Sequence, residues 1–284
     1  MRDQPQGQGL LLRWMRDLLA EPQLRALDVD ADQRIDTHRQ ILRKKPALQD
    51  LFEELYRLCV DLDRRHLSGS GASVELGAGS SFFGDVFPNV IVTDITPAGH
   101  LDVVADALRL PFRDASVRVF YGIECFHHLP DPHLFFRDVL RTLVPGGGCV
   151  LIEPYHGLVA RYLFRRLFDS ESFEMDQAEW STTTTGPMVG ANQALSYIVF
   201  SRDREKFEVQ YPSLRILCQR PLNNYIRYLG SGGLNFRALV PAALVPVAKL
   251  TERLLTPMNR LLALHHVIVL RKERDHPMAS GGAR

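Results

Sequence analysis

The sequence predicts an α/β fold built on a mostly parallel sheet, and three observations carry the prediction. Between Ser73 and Pro154 short β-branched or apolar runs alternate with helical or loop segments. The first of these runs ends in a pair of glycines, Gly77 and Gly79. Two further apolar runs near the C-terminus add strands that finish the sheet in an antiparallel sense.

The elements follow in order. Apolar residues recur at helical spacing in LLLRWMRDLLA and again in ALQDLFEELYRLCVDLDRR, where Leu48, Leu51, Phe52, Leu55, Leu58 and Cys59 share a face. HLSGSGAS, from His66 to Ser73, is a Gly/Ser break that ends this helical section. SVEL, VIVTD, VRVFYGI and CVLIE then read as strands buried on both faces, with DVVAD as a shorter one. PDPHLFFRDVLRTLVPGGG contains an amphipathic helix. From Gly157 to Pro212 the pattern loosens: RYLFRRLF is helical, and SESFEMDQAEWSTTTTGPMVGANQ reads as a long connection of the kind that covers a binding site. SLRILCQRP and HHVIVLRKE are the closing strands, separated by a Pro-interrupted helical segment. The expected organisation is a helical extension or cap over residues 1–67, a sheet domain over 68–272 with an insertion at about 157–200, and a disordered tail over 273–284.

Composition narrows the function. The 34 basic residues nearly cancel the 33 acidic ones, so the chain lacks the charge footprint of a general nucleic-acid binder. Cys59, Cys125, Cys149 and Cys218 are far apart and form no CxxC pair, which points to reduced thiols and a cytoplasmic setting. The N-terminal apolar patch is broken by Arg13, Arg16 and Asp17, so it reads as neither a leader nor a span. Ala238–Ala248 is about half the length that a spanning helix needs and contains Pro241 and Pro246. An integral membrane span is therefore not expected, and residues 236–255 stand as a segment for peripheral contact with a lipid or partner, with internal packing as the default.

Chemistry is expected at the carboxyl ends of the strands. Gly77 and Gly79 permit a tight turn and close backbone approach to a ligand. A dinucleotide fingerprint would place a third glycine where Phe82 stands, which disfavours a nicotinamide or flavin site. Asp94 closes the second strand, where an acid either accepts ribose hydroxyls or caps the turn at Ile95-Thr96-Pro97. Asp106, before Ala107, has the same two readings, as an acceptor from an exocyclic amine or as a turn residue.

In this order, the glycine loop, Asp94 and Asp106-Ala107 followed by LPFRDAS resemble the class I S-adenosylmethionine-dependent methyltransferases. The resemblance continues through ECFHHLPDPHLFFRDVLRTLVPGGGCVLIEP and covers Val74 to Pro154. It implies a Rossmann-like sandwich that binds S-adenosylmethionine and releases S-adenosylhomocysteine. The implied cofactor set is Glu75, Gly77, Ala78 and Gly79, then Asp94 and Ile95, then Asp106 and Ala107, with Glu124 after the fourth strand. Ser81 stands where the family often has a third glycine, and Arg118 where it commonly has an Asp, at the end of the strand away from the expected site. THRQILRKKPALQDLFEELY before the core and GANQAL, IVFSRDREKFE and YLGSGG after it resemble a bacterial subset of these enzymes with unassigned substrates, some associated with polysaccharide or secondary-metabolite pathways.

Methyl transfer from a sulfonium needs alignment and exclusion of water more than acid–base help. A hydroxyl acceptor adds the need for a base. His127 is the first candidate because it follows the fourth strand end most closely, and His156, with Glu153 and Tyr155 nearby, is the second. His128, Tyr155, Trp180, Asn192 and Gln193, with Met188, are expected to face the acceptor, against the alternative of a loop whose Trp packs on the core. No metal is expected: adjacent histidines do not easily point the same way, and no HExxH or Cys/His set is present. His265-His266 reads as structural. The acceptor expected is a small or glycan-linked molecule with oxygen as the methylated atom. A nicotinamide-cofactor oxidoreductase and a binding subunit that has kept the fold without turnover are the alternatives.

Overall fold

The computed structural model describes residues 18–25, 27–28, 33–166, 171–182 and 190–273. Its centre is a seven-stranded sheet of strands β1 (Ala72–Leu76), β2 (Val90–Asp94), β3 (Val103–Val104), β4 (Val117–Ile123), β5 (Leu143–Pro154), β6 (Leu214–Pro221) and β7 (His265–Lys272). Their spatial order is β3-β2-β1-β4-β5-β7-β6. The first five run parallel, and β7 inserts antiparallel between β5 and β6. The chain order reverses at β1 and β4, and their carboxyl ends form the crevice where such sheets bind ligands.

Side-chain alternation explains why both faces are covered. Val119 and Tyr121 of β4, Val150 and Ile152 of β5, and Val267 and Val269 of β7 lie in one apolar cluster. Phe120, Cys149, Leu151, Ile268 and Leu270, one residue out of step, lie in the other. Helix α1 (Gln33–Arg43) precedes α2 (Pro46–His66), and α2 supplies Leu55, Tyr56, Cys59 and Leu62 to the first cluster. The helix that the sequence groups with an N-terminal extension is thus a layer of the sheet's own core, because its apolar stripe meets β4, β5 and β7. Arg118 points to this layer: its Nη2 donates to Asp63 Oδ2 at 2.7 Å, and the Tyr121 hydroxyl donates to the same oxygen at 2.8 Å.

The short α3 (Phe83–Val86) follows the glycine loop. On the second face α4 (Pro132–Thr142) buries Phe135, Phe136 and Val139, and Asp131 caps it by accepting the His133 and Leu134 amides. After β5 comes α5 (Leu158–Arg166), and the described part of the insertion folds back on the core. Residues 195–210, within the stretch where the sequence pattern loosens, are helical: a turn at Leu195–Tyr197 widens into a π turn at Ile198–Arg202 and runs into α6 (Arg204–Gln210). Ile198, Val199 and Phe200 are all buried against α4, and this packing decides the backbone over local β propensity. Between β6 and β7 lie α7 (Tyr225–Ser231), α8 (Val245–Leu254) and α9 (Asn259–Leu262). No helix among the described residues is long and apolar enough to cross a membrane. The tail after Glu273 lies outside the described residues.

Candidate active site

The glycine loop is built by two left-handed residues. Gly77 has φ +61°, and a Cβ there would meet Cys125 Sγ at 2.4 Å, so the loop lies directly on the segment that follows β4. Gly79 has φ +51°, and a Cβ there would meet nothing within 4 Å. Its amide donates to Asp94 Oδ2 at 2.8 Å, while Thr96 N–H donates to Oδ1 at 2.8 Å. Asp94 therefore both caps its turn and closes on the loop, and each oxygen keeps a second lone pair. Ile95 beside it is 53% exposed, an apolar surface at the mouth of the crevice.

Glu75 is buried at the base of the loop, and its Oε2 has no hydrogen-bond partner. Burial pushes its pKa up to about 8 against a hydrogen bond from Ser81, and the charge of Asp94 adds to the rise. The unpartnered buried Oε2 of Glu75 is a polar atom that the protein itself does not satisfy. Asp106 is exposed and its Oδ1 accepts the Leu108 amide at 2.9 Å, so it shapes a turn, with Ala107 half-buried behind it.

Helix α1 is tied to the segment that follows the glycine loop. Arg39 donates to the Ser81 carbonyl and, at 3.2 Å, to Asp85; the Tyr56 hydroxyl of α2 pairs with Ser81 Oγ at 2.9 Å. At the other end Arg34 donates to Asn235 Oδ1 at 3.1 Å, and His38 Nε2 lies 3.2 Å from the same oxygen. His100 Nε2 also holds the loop, 2.9 Å from Gly79 O. No site role attached to any of these five side chains in the sequence, although His38, Arg39 and Tyr56 lie in the THRQILRKKPALQDLFEELY flank.

A second centre lies past β4 and β5. Glu153, fully buried, accepts the amides of Cys125 (3.0 Å), Phe126 (2.7 Å) and His127 (3.2 Å), and its Oε2 lies 2.7 Å from His127 Nδ1. His127 Nε2 lies 3.1 Å from Glu171 Oε2. Burial alone would depress the His127 imidazole, but Glu153 and Glu171 outweigh it and hold its pKa well above the usual histidine value. With both nitrogens engaged, His127 has no free lone pair to act as a base in this arrangement.

The expectation that His127 and His128 diverge is corrected here. The tight turn Phe126–His128 brings their rings to 4.2 Å between centroids, and ligand atoms of His127, His128 and Glu171 lie within 4.8 Å of one another. These three could hold a metal ion. Glu124, with φ +55°, is strained where β4 ends; its Oε1 lies 3.4 Å from His265 Nε2. Burial raises the Glu124 pKa to about 8, with His127 opposing and Glu153 and Glu171 adding, and burial lowers that of His265 to about 3. His265 arrives there because β7 pairs antiparallel with β5, opposite Pro154.

Other residues singled out from sequence are placed elsewhere. Trp180 is fully buried, donates its indole N–H to Asp203 at 2.8 Å and stacks on His133, which is the core-packing alternative. Asn192 is buried with its amide spent on Glu174, Gln177 and Ala194; its backbone N–H reaches the His127 carbonyl at 3.1 Å. Gln193 is buried and its backbone N–H donates to the Ser172 carbonyl. Buried amides so placed organise the insertion and present no surface to an acceptor. His156 packs between the rings of Tyr155 and Tyr197 at 4.4 and 4.5 Å, with Nδ1 buried and unpartnered; burial and then Arg161 lower its pKa. Met188 lies outside the described residues.

Residues 74–151 match a family model described as a methyltransferase domain. The chain is 30% identical over 111 residues to norajmaline N-methyltransferase of Rauvolfia serpentina, covering 39% of this chain and 34% of that protein. It is 45% identical over 47 residues to 27-O-demethylrifamycin SV methyltransferase of Amycolatopsis mediterranei (strain S699), covering 16% and 17%. The chain thus spans about a third or less of the length of these relatives. Among solved structures it is similar to geranyl diphosphate C-methyltransferase of Streptomyces coelicolor A3(2), with a TM-score of 0.45 and 13% identity over 90% of this chain and 89% of that one.

Proposed function

We propose that this chain, which carries a class I methyltransferase domain at residues 74–151, is an S-adenosylmethionine-dependent methyltransferase that methylates oxygen on a small or glycan-linked acceptor. The observation that carries the reading is the joined loop and acid: Gly79 is locked to Asp94 above a buried Glu75 whose Oε2 lacks a partner. When bound, S-adenosylmethionine supplies a methyl group on an already activated leaving sulfur. Glu75 and the loop of Gly77, Ala78 and Gly79 hold its methionine part, and the spare lone pairs of Asp94 accept the ribose hydroxyls. Ile95, Asp106 and Ala107 receive the adenine. Glu124 lines the side towards the transferring methyl.

On the acceptor side Glu153 fixes the His127 ring through Nδ1 and aims Nε2 at Glu171, so His127 acts by holding the rim of the acceptor site in place. Helix α1, pinned at Arg39 and at Arg34 and His38, roofs the crevice and keeps water from it. Oxygen as the methylated atom is supported by the relative named for a 27-O-demethyl substrate, 45% identical over 47 residues, while the relative named an N-methyltransferase matches over a longer stretch of 111 residues at 30%. Incubation of the chain with methyl-labelled S-adenosylmethionine and a bacterial small-molecule extract tests the reading. Label in an organic product, with equal S-adenosylhomocysteine, is expected; cofactor binding without transfer to any extract would favour a binding subunit.

The surface around α8 and α9 serves, in the same reading, to dock on an anionic lipid surface. Leu244, Val247, Leu250, Leu254, Met258 and Leu261 are all strongly exposed, between 43% and 73%. The only acid from Arg237 to Leu262 is Glu252, which is turned inward onto Arg227 at 2.7 Å. The face is flanked by Arg237, Arg253 and Arg260, and apolar side chains edged by basic ones complement anionic headgroups.

A further inference from the structure

The cluster beside His127 includes a second imidazole, His128, to which the methyl-transfer reading gives no role. Two imidazoles and one carboxylate converge from two separate segments, the turn after β4 and the start of the described insertion. His127 Nε2 and Glu171 Oε2 are 3.1 Å apart, the separation that two ligand atoms take up when each lies about 2 Å from one ion. The other nitrogen of His127 is given to a fully buried carboxylate, Glu153, at 2.7 Å. That carboxylate is itself oriented by three backbone amides. A histidine held at Nδ1 by a carboxylate, with Nε2 facing a second imidazole and a carboxylate, is the outer and inner shell of a metal site.

We infer that His127, His128 and Glu171 form a binding site for a divalent transition metal of the zinc type. Two nitrogens and one oxygen suit zinc or iron better than magnesium or calcium, which take oxygen ligands. Three protein ligands leave coordination positions open, and the neighbouring Glu124, whose Oε1 has no hydrogen-bond partner, borders that open side. The rival account of the same distances is an ion pair between His127 and Glu171 alone, in which His128 has no part.

The test is calorimetric titration of the chelator-treated full chain with Zn²⁺, repeated on His128→Asn and Glu171→Gln, with Co²⁺ as an optical probe. The inference expects one ion per chain, weakened about 10–100-fold or more in each variant. Visible Co²⁺ bands should appear in the parent chain and fade in both variants. It is overturned if the folded parent binds no Zn²⁺ at one-to-one stoichiometry. It is equally overturned if binding survives both substitutions, which would place the metal elsewhere, or if Glu171→Gln lowers thermal stability while Zn²⁺ affinity is nil throughout, which would leave the ion pair. S-adenosylmethionine titrated in parallel separates failure here from failure of the methyltransferase reading, since neither site needs the other's ligand to be measured.

Discussion

The Gly79 amide donates to Asp94 Oδ2 at 2.8 Å, so the loop after the first strand and the acid after the second form one unit. A left-handed glycine presents its N–H to the carboxylate while leaving the space above it open, and a side chain at the neighbouring Gly77 would collide with Cys125.

Gly77→Ala and Gly79→Ala are therefore expected to differ. Both cost about 1–2 kcal/mol for left-handed backbone, and Gly77→Ala adds roughly 1–3 kcal/mol for the clash with Cys125. Thermal denaturation should rank Gly77→Ala as the less stable of the two, while titration should show that Gly79→Ala, destabilised by the backbone cost alone, still weakens cofactor binding. Equal melting temperatures would contradict this packing.

The buried Glu75 sets a pH dependence. Its folded pKa, about 8, lies above its ordinary value, so the native state holds its proton more tightly than the unfolded chain. The stabilisation is complete at low pH and is lost as pH rises from the ordinary carboxylate range through about 8. Glu75→Gln should flatten the fall in melting temperature across that window, by about 2–4 °C for each kcal/mol removed. A variant with the parent's slope would assign the dependence to other groups.

Arg39→Ala removes the link between α1 and the glycine loop while α2 and the core stay intact. The expected result is cofactor affinity reduced several-fold, about 1 kcal/mol per lost charged hydrogen bond, with the far-ultraviolet circular dichroism of the parent. Unchanged affinity would mean that α1 does not roof the site.

Leu250→Ser combined with Leu254→Ser tests the apolar face of α8. The parent chain should sediment with vesicles of phosphatidylcholine and phosphatidylserine more than with phosphatidylcholine alone, and the double variant should lose about tenfold or more of that binding. No vesicle binding by the parent would refute the lipid reading, as would a dimer of the parent that the variant converts to monomer, or vesicle binding that appears only when residues 1–17 are removed.

The sheet and the contact between the glycine loop and Asp94 were legible because their signals are local. Alternating apolar strands, two glycines and an acid at a strand end each leave a mark within a few residues, and the strands SVEL, VIVTD, VRVFYGI and CVLIE stand where the sequence puts them. The cluster around His127 was not, because it is assembled by long-range contacts. Glu171 reaches His127 from an insertion of no regular pattern, and His265 reaches Glu124 through antiparallel strand pairing. Trp180 looked like a lid residue for the same reason: its partners Asp203 and His133 come from elements distant in sequence. The helical turn at 198–200 falls in a stretch with no clear sequence period, and its burial in the same apolar cluster as α4 comes from long-range packing.

The most direct test of the central claim is calorimetric titration of the folded chain with S-adenosylmethionine and S-adenosylhomocysteine, beside NADH, on the parent and on Asp94→Ala. The expected result is binding of both sulfur nucleosides near the micromolar range, weakened about 10–100-fold by loss of the Asp94 carboxylate, and no heat from NADH. Absence of binding to the folded parent, preference for NADH, or affinity untouched by Asp94→Ala would contradict it.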